Sequence, residues 1–148
     1  MGRPRSFDRD LALDVALGLF WTHGYEGVSI ADLTTAIGIA PPSLYAAFGD
    51  KRQLFQQAVA LYEAREGAAL AAALNQPGPA RPAIAAMLAQ AARAYVRGGE
   101  NRGRGCLVSA ALLGSAAENA EIAAFVRDRR AQAQAAIRTR LLLSLIHI

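Results

Sequence analysis

Apolar residues recur at three- and four-residue intervals along most of the chain, and the runs end on glycine or proline. Phe7, Leu11, Val15, Leu19 and Phe20 are expected to line one face of a first helix, from about Phe7 to Thr22, with Gly24 as its stop. Trp21 and Tyr25 are expected to pack around the core it joins. Ser29 then stands as an N-cap with Asp32 at capping-box spacing; Ile30, Leu33 and Ile37 follow on one face, and Gly38 ends the run. A third helix is expected near Pro41, because proline is tolerated in a first turn, where its missing N–H has no partner to lose. Its Leu44 and Phe48 face inward, and Ser43, Tyr45 and Ala47 largely outward. Asp50 and Gln53 repeat the capping spacing before a long fourth helix, Lys51 to about Leu74. That helix carries Leu54, Ala58, Leu61 and Tyr62 on one side and a weak point at Gly67.

Asn75-Gln76-Pro77-Gly78-Pro79 is the clearest break in the pattern. Pro82 opens a fifth helix with Ile84, Met87, Leu88, Ala91 and Tyr95, and a glycine-rich loop follows over Gly98–Gly105. Cys106 to Ala116 reads as a short apolar helix, and Glu118 to about Leu143 as a seventh with Ile122, Phe125, Val126 and Ile137 inward. No alternating β-branched run argues for a sheet. The fold class is therefore all-α, and a content of 53% hydrophobic but only 7% aromatic residues suits packed helices.

Composition narrows the chemistry. At 148 residues the chain holds one sizeable core, or a small domain with a helical companion. No apolar run reaches the roughly 18 residues of a membrane span, and the charged start is not that of a signal peptide. Cys106 is the sole cysteine, which excludes an intrachain disulfide and fits a reducing cytoplasm. His23 and His147 lie far apart and no Cys/His cluster has ligand spacing, so no metal, cofactor or catalytic residue is assigned and no enzyme is expected. GENRGRGC lacks the lysine and spacing of a phosphate loop. The net charge of +4 is unevenly spread: residues 1–58 hold five basic groups (Arg3, Arg5, Arg9, Lys51, Arg52) against six acidic ones (Asp8, Asp10, Asp14, Glu26, Asp32, Asp50). Any affinity of that half for a polyanion must come from local placement rather than from a bulk field.

Residues 29–48 form two short helices joined by a tight turn, the geometry that lays a second helix in the DNA major groove. Spacing alone suits an ordinary helical hairpin in an all-α core equally well. The residues carry a further signal. The stretch from GRPRSFDRDLALDVALGLFWTHGYEGVS through IADL, GI and SLYAAFGDK into the fourth helix resembles the DNA-binding domain of the TetR/AcrR family of bacterial transcriptional regulators. The resemblance covers Arg3 to about Val59 closely and the rest more loosely.

It implies a helix-turn-helix domain over residues 1–52, with a helical effector-binding and dimerisation domain over 53–148. Ser29 would meet a phosphate; Pro41, Pro42, Ser43 and Tyr45 would face the groove; Lys51 would clamp the backbone. Arg3 and Arg5 would reach an adjacent groove or phosphates from an extended arm, the alternative being a disordered basic terminus. Ala40, Ala46 and Ala47 replace larger polar residues, which leaves direct base readout sparse. The implied function is a cytoplasmic regulator, by family habit a repressor, which binds a double-stranded DNA operator as a homodimer and is released by a small-molecule effector. The alternative is a helical protein-interaction module without DNA binding. Tyr62, Met87, Tyr95, Cys106 and Leu107 are candidate walls for the effector, or plain core. Cys106 beside Arg102 and Arg104 is a candidate reactive thiol, or an inert buried one. The apolar tail Leu141–Ile148 matches no family segment, and a C-terminal truncation with non-native last residues is expected.

Overall fold

A computed structural model describes residues 7–96, 105–115 and 119–145, and every regular element among them is helical. The helices are α1 (Arg9–His23), α2 (Ile30–Ile37), α3 (Pro41–Phe48), α4 (Lys51–Tyr62), α5 (Ala68–Leu74), α6 (Ala80–Val96), α7 (Leu107–Ser115) and α8 (Ala120–Leu145). The chain divides into two compact units, Met1–Leu61 and Tyr62–Ile148. The division falls later than the expected boundary at residue 52 because all of α4 but its last residue belongs to the N-terminal unit. Leu54, Phe55, Ala58 and Val59 are all buried, and the Phe55 ring meets Phe20 at 5.2 Å and Tyr25 at 5.1 Å. Both contacts are edge-on, the arrangement that the ring quadrupoles favour.

The first helix departs from expectation in start and in face. Asp8 is its N-cap, the side chain accepting from the amides of Asp10 and Leu11, so helical dihedrals begin at Arg9 rather than Phe7. Ala12, Ala16, Leu17 and Phe20 form the buried face, and Leu11 is 62% exposed. Ala12, Ala16 and Phe20 share a four-residue stripe whose small members allow close approach of neighbouring helices. That stripe rotates Leu11 out to solvent and leaves Val15 and Leu19 half-buried on its flank.

The caps of α2 follow the sequence. The Ser29 hydroxyl accepts from the Asp32 amide at 3.1 Å, and the Asp32 carboxylate accepts from the Ser29 amide at 2.8 Å. Gly38 takes the left-handed conformation (φ 77°, ψ 33°) that ends the helix and starts the turn. Asp50 and Gln53 make the same reciprocal pair at the start of α4. The Gln53 side chain fills the space beside Gly49, where a Cβ would meet its oxygen at 1.8 Å.

In the C-terminal unit, the weak point expected at Gly67 is a π-helical turn, Glu63–Gly67, between α4 and α5. Glu63 in that turn pairs with Arg129 of α8 at 3.4 Å. The turn after α5 is held from α8 as well: Arg140 donates to the carbonyls of Leu74, Gln76 and Gly78 at 2.9, 2.8 and 2.6 Å. The fifth expected helix begins two residues early, at Ala80, and the last runs on to Leu145 with Leu141, Leu142 and Leu143 about half exposed. The loop expected over Gly98–Gly105 and the position Glu118 lie outside the described residues except for Gly105, as does the end of the tail from Ile146. None of the described helices is long and apolar enough to cross a membrane.

Replacing Gly38 by Ala forces a side chain into the left-handed region with no steric clash to confuse the result. It should lower stability by about 1 kcal/mol, read as a reduced unfolding midpoint of the N-terminal unit. The hydroxyl and then the amide of Ser29 hold the Asp32 carboxyl below its ordinary value of 3.8. A depressed carboxyl stabilises the fold above its unfolded pKa, and the contribution is lost as pH falls through the folded one. Thermal unfolding between pH 5 and pH 2 should therefore fall less steeply for Asp32→Asn than for the unsubstituted chain.

Candidate nucleic-acid interface

The α2–α3 pair is closed by its own backbone. The amides of Gly38 and Ile39 both donate to the Thr34 carbonyl, at 2.9 and 3.1 Å, so the chain reverses within two residues of the end of α2. Thr34 is buried, and its hydroxyl returns to the carbonyls of Ile30 and Ala31. On α3, Leu44 and Phe48 are 1% and 2% exposed and anchor one face. Pro41, Pro42, Ser43 and Tyr45 lie on the other, all open to solvent, with Tyr45 at 49% exposure.

This helix start is not an amide anion hook. Its first two positions are prolines without N–H groups, and the Ser43 amide already donates to the Ala40 carbonyl at 3.0 Å. What α3 offers to a partner is side-chain chemistry: the Ser43 hydroxyl, the Tyr45 phenol and the flat apolar faces of two prolines. Ser29 is likewise occupied. Besides accepting from Asp32, its hydroxyl donates to the Asp32 carboxylate at 2.6 Å. An incoming phosphate at Ser29 would meet that carboxylate.

Lys51 supplies the cation at this edge. A lysine in the first turn of α4 is poorly placed for the helix dipole, and the structure gives it another seat. Its Nζ lies 4.3 Å from the centroid of the Tyr25 ring. Burial holds the ammonium below the ordinary lysine value, against the opposing pull of the Glu26 and Asp32 carboxylates. The carboxylates of Glu26 and Asp32 thus act on one partly buried positive charge at the start of α4. The sequence singled out Lys51 but read Tyr25 only as core. The sole sequence signal was a cation at an unfavourable helix position; the ring that seats it stands in the turn after α1, 26 residues earlier. Arg52 pairs instead with Asp50 at 3.7 Å. Arg3 and Arg5 lie outside the described residues.

In the C-terminal unit the structure draws together four of the five residues proposed as effector walls. Cys106 precedes α7 as its cap, with the Ala110 amide donating to its carbonyl at 3.0 Å. Burial pushes its thiol up, but hydrogen bonds from the amide and hydroxyl of Ser109 and from the hydroxyls of Tyr62 and Tyr95 outweigh it, leaving the thiol below its ordinary value. The tyrosines respond in the opposite sense. Burial, then the negative charge of Cys106, raises Tyr62 well above its ordinary value and Tyr95 to about 12. Leu107 joins them through its backbone bond to Tyr62 and is itself buried core. Met87 is buried on α6, beside Ala83 and Ala80. A separate open groove of about 740 Å³ lies along Asn75–Pro79, Arg140, Leu143 and Ser144, and none of the five residues lines it.

The chain shares sequence and fold with known proteins. Residues 12–58 match the family described as "Bacterial regulatory proteins, tetR family". The chain is similar to the HTH-type transcriptional repressor ComR of Escherichia coli (strain K12), with 54% identity over 61 residues, covering 41% of this chain and 29% of that protein. It is also similar to the HTH-type transcriptional repressor BdcR of the same organism, with 40% identity over 107 residues, covering 72% of this chain and 53% of BdcR. The chain therefore spans between about a third and a half of these two curated relatives. Among solved structures, a cysteine mutant of the TetR family transcriptional regulator CifR, complexed with 26-bp double-strand operator DNA, superposes with a TM-score of 0.87 at 38% identity, covering 97% of this chain and 74% of that one. With that extent of shared sequence and fold, and a matching family domain over the helix-turn-helix, this chain belongs to the TetR family of bacterial regulatory proteins.

Proposed function

We propose that the protein is a sequence-specific DNA-binding transcriptional regulator, acting in the cytoplasm as a homodimeric repressor that a small-molecule effector releases from its operator. The observation that carries this reading is the split character of α3: Leu44 and Phe48 hold it to the core while Pro41, Pro42, Ser43 and Tyr45 stand free. Lys51, seated on Tyr25, supplies a cation for the phosphate backbone beside that face. Arg3 and Arg5 would add contacts from the N-terminal arm, whereas Ser29, its hydroxyl engaged by Asp32, would add little at the start of α2. With alanine at positions 40, 46 and 47, few groups can read base edges, and DNA shape then carries a larger share of the selectivity. The similarity to the repressors ComR and BdcR, and to CifR in complex with operator DNA, supports the same reading.

For the effector, we propose the surroundings of Tyr62, Tyr95 and Cys106, with Leu107 and Met87 behind them. Three polar groups converge there among apolar side chains, the combination that orients a small ligand. Tyr62 is also the last residue of α4, directly before the π-helical turn, so a ligand at its hydroxyl would touch the helix that follows the reading head in the chain.

Selection of bound duplexes from a random library with the full-length protein should recover a motif with two-fold symmetry. Recovery of no preferred sequence would favour a protein-interaction module instead. On the selected site, Tyr45→Ala and Lys51→Ala should each weaken binding in fluorescence anisotropy, and Lys51→Ala should lower the salt slope by about 1. Unchanged affinity in both variants would remove these two residues from the interface. At the second site, Tyr62→Phe deletes one hydrogen bond to the Cys106 sulfur. The pH profile of Cys106 alkylation by iodoacetamide should then shift to higher pH, and an unshifted profile would show that Tyr62 does not tune the thiol.

A further inference from the structure

Arg9 is the first residue of α1, and a cation there opposes the helix dipole. Its guanidinium does not stay at that end. Nε donates to the carbonyl of Ala47 at 3.3 Å, Nη2 donates to the Gln57 side-chain oxygen, and the planar group lies 4.8 Å from the centroid of Phe48. Gln57 completes the arrangement, its amide donating to the carbonyls of Phe48 at 3.0 Å and Gln53 at 3.1 Å. The last turn of α3 has no basic residue of its own. Arg9 supplies the missing C-terminal cation from another helix, and with Gln57 it satisfies the two final carbonyls of α3.

We propose that Arg9 is a positioning residue for DNA reading. It holds the far end of α3 against α1 and α4 and so sets the angle at which Pro41 to Tyr45 are presented. The inference rests on the DNA-reading role of α3 proposed above. The physical case is that α3 is eight residues long, too short to hold itself. Buried Leu44 and Phe48 resist its departure from the core, but two anchors one turn apart leave rotation about that contact open. A rigid fork with hydrogen bonds to two different elements and a stacked face closes that freedom, and only arginine has this shape.

The rival role for an exposed arginine beside a reading helix is a direct phosphate contact, and lysine separates the two. Lysine keeps the charge and loses the planar fork. On the selected operator, with the full chain, Arg9→Lys and Arg9→Ala should both lose affinity by roughly tenfold, the size of one lost base-pair contact. Both should narrow the affinity ratio between that operator and a scrambled duplex, with the salt slope unchanged. Because Arg9 and Gln57 act on the same helix end, the losses in Arg9→Ala and Gln57→Ala should fall short of adding in the double variant. Full affinity and selectivity in Arg9→Lys would overturn the positioning role, as would a salt slope lowered by about 0.9 in Arg9→Ala with the ratio intact. Failure of the unsubstituted chain to prefer any duplex would overturn the DNA-reading role of α3 itself, a result distinct from either.

Discussion

A helix of eight residues leaves as many backbone groups open at its ends as its whole length can close, and both α2 and α3 are eight residues long. Neither would persist alone in water, because nucleation costs more than so few hydrogen bonds return. The N-terminal unit is organised around that constraint. At α2, Ser29 and Asp32 close the start, and Gly38 and Ile39 close the end on Thr34. At α3, two prolines remove donors that would otherwise need partners, while Gly49, Arg9 and Gln57 take the carbonyls of the last turn. The outward face of α3 is left free of structural duties as a result.

The same device recurs in the C-terminal unit on a different helix. Seven-residue α5 has no basic residue in its last turn, and Arg140 reaches from α8 to its final carbonyl and to the two turn carbonyls beyond. In both units a short helix is finished by an arginine distant in sequence, with the fork geometry that lysine lacks. This gives a physical sense to a chain whose only lysine is Lys51. Lys51, in the first turn of α4, has its ammonium against the face of the Tyr25 ring.

Much of the candidate interface was legible because its determinants are local. Capping boxes, turn glycines and prolines act within four residues, so Ser29/Asp32, Gly38, Pro41 and Asp50/Gln53 could be placed from spacing, and Leu44 and Phe48 followed from the helical repeat. The first helix was harder. Its buried stripe runs through Ala12 and Ala16, whose small side chains carry little hydrophobic signal but permit close packing, and the larger Leu11 drew the expected face toward solvent. Tyr25 looked like core and is core, yet it also seats Lys51, a pairing that no local pattern encodes. The convergence of Tyr62, Tyr95 and Cys106 spans more than forty residues and depends on how α6 and α7 pack.

The sequence by itself determined that the chain is helical, where most helices start and stop, which family it belongs to and which face of α3 is left outward. These follow from dihedral preferences and from a 3.6-residue repeat, both of which operate over a turn or two. Only the tertiary structure decided which face of α1 is buried, which ring holds Lys51 and which side chains finish α3. Those outcomes depend on groups brought together across tens of residues. A carbonyl at a helix end needs a donor within about 3 Å wherever in the chain it comes from, and a sequence does not state which distant arginine will stand there.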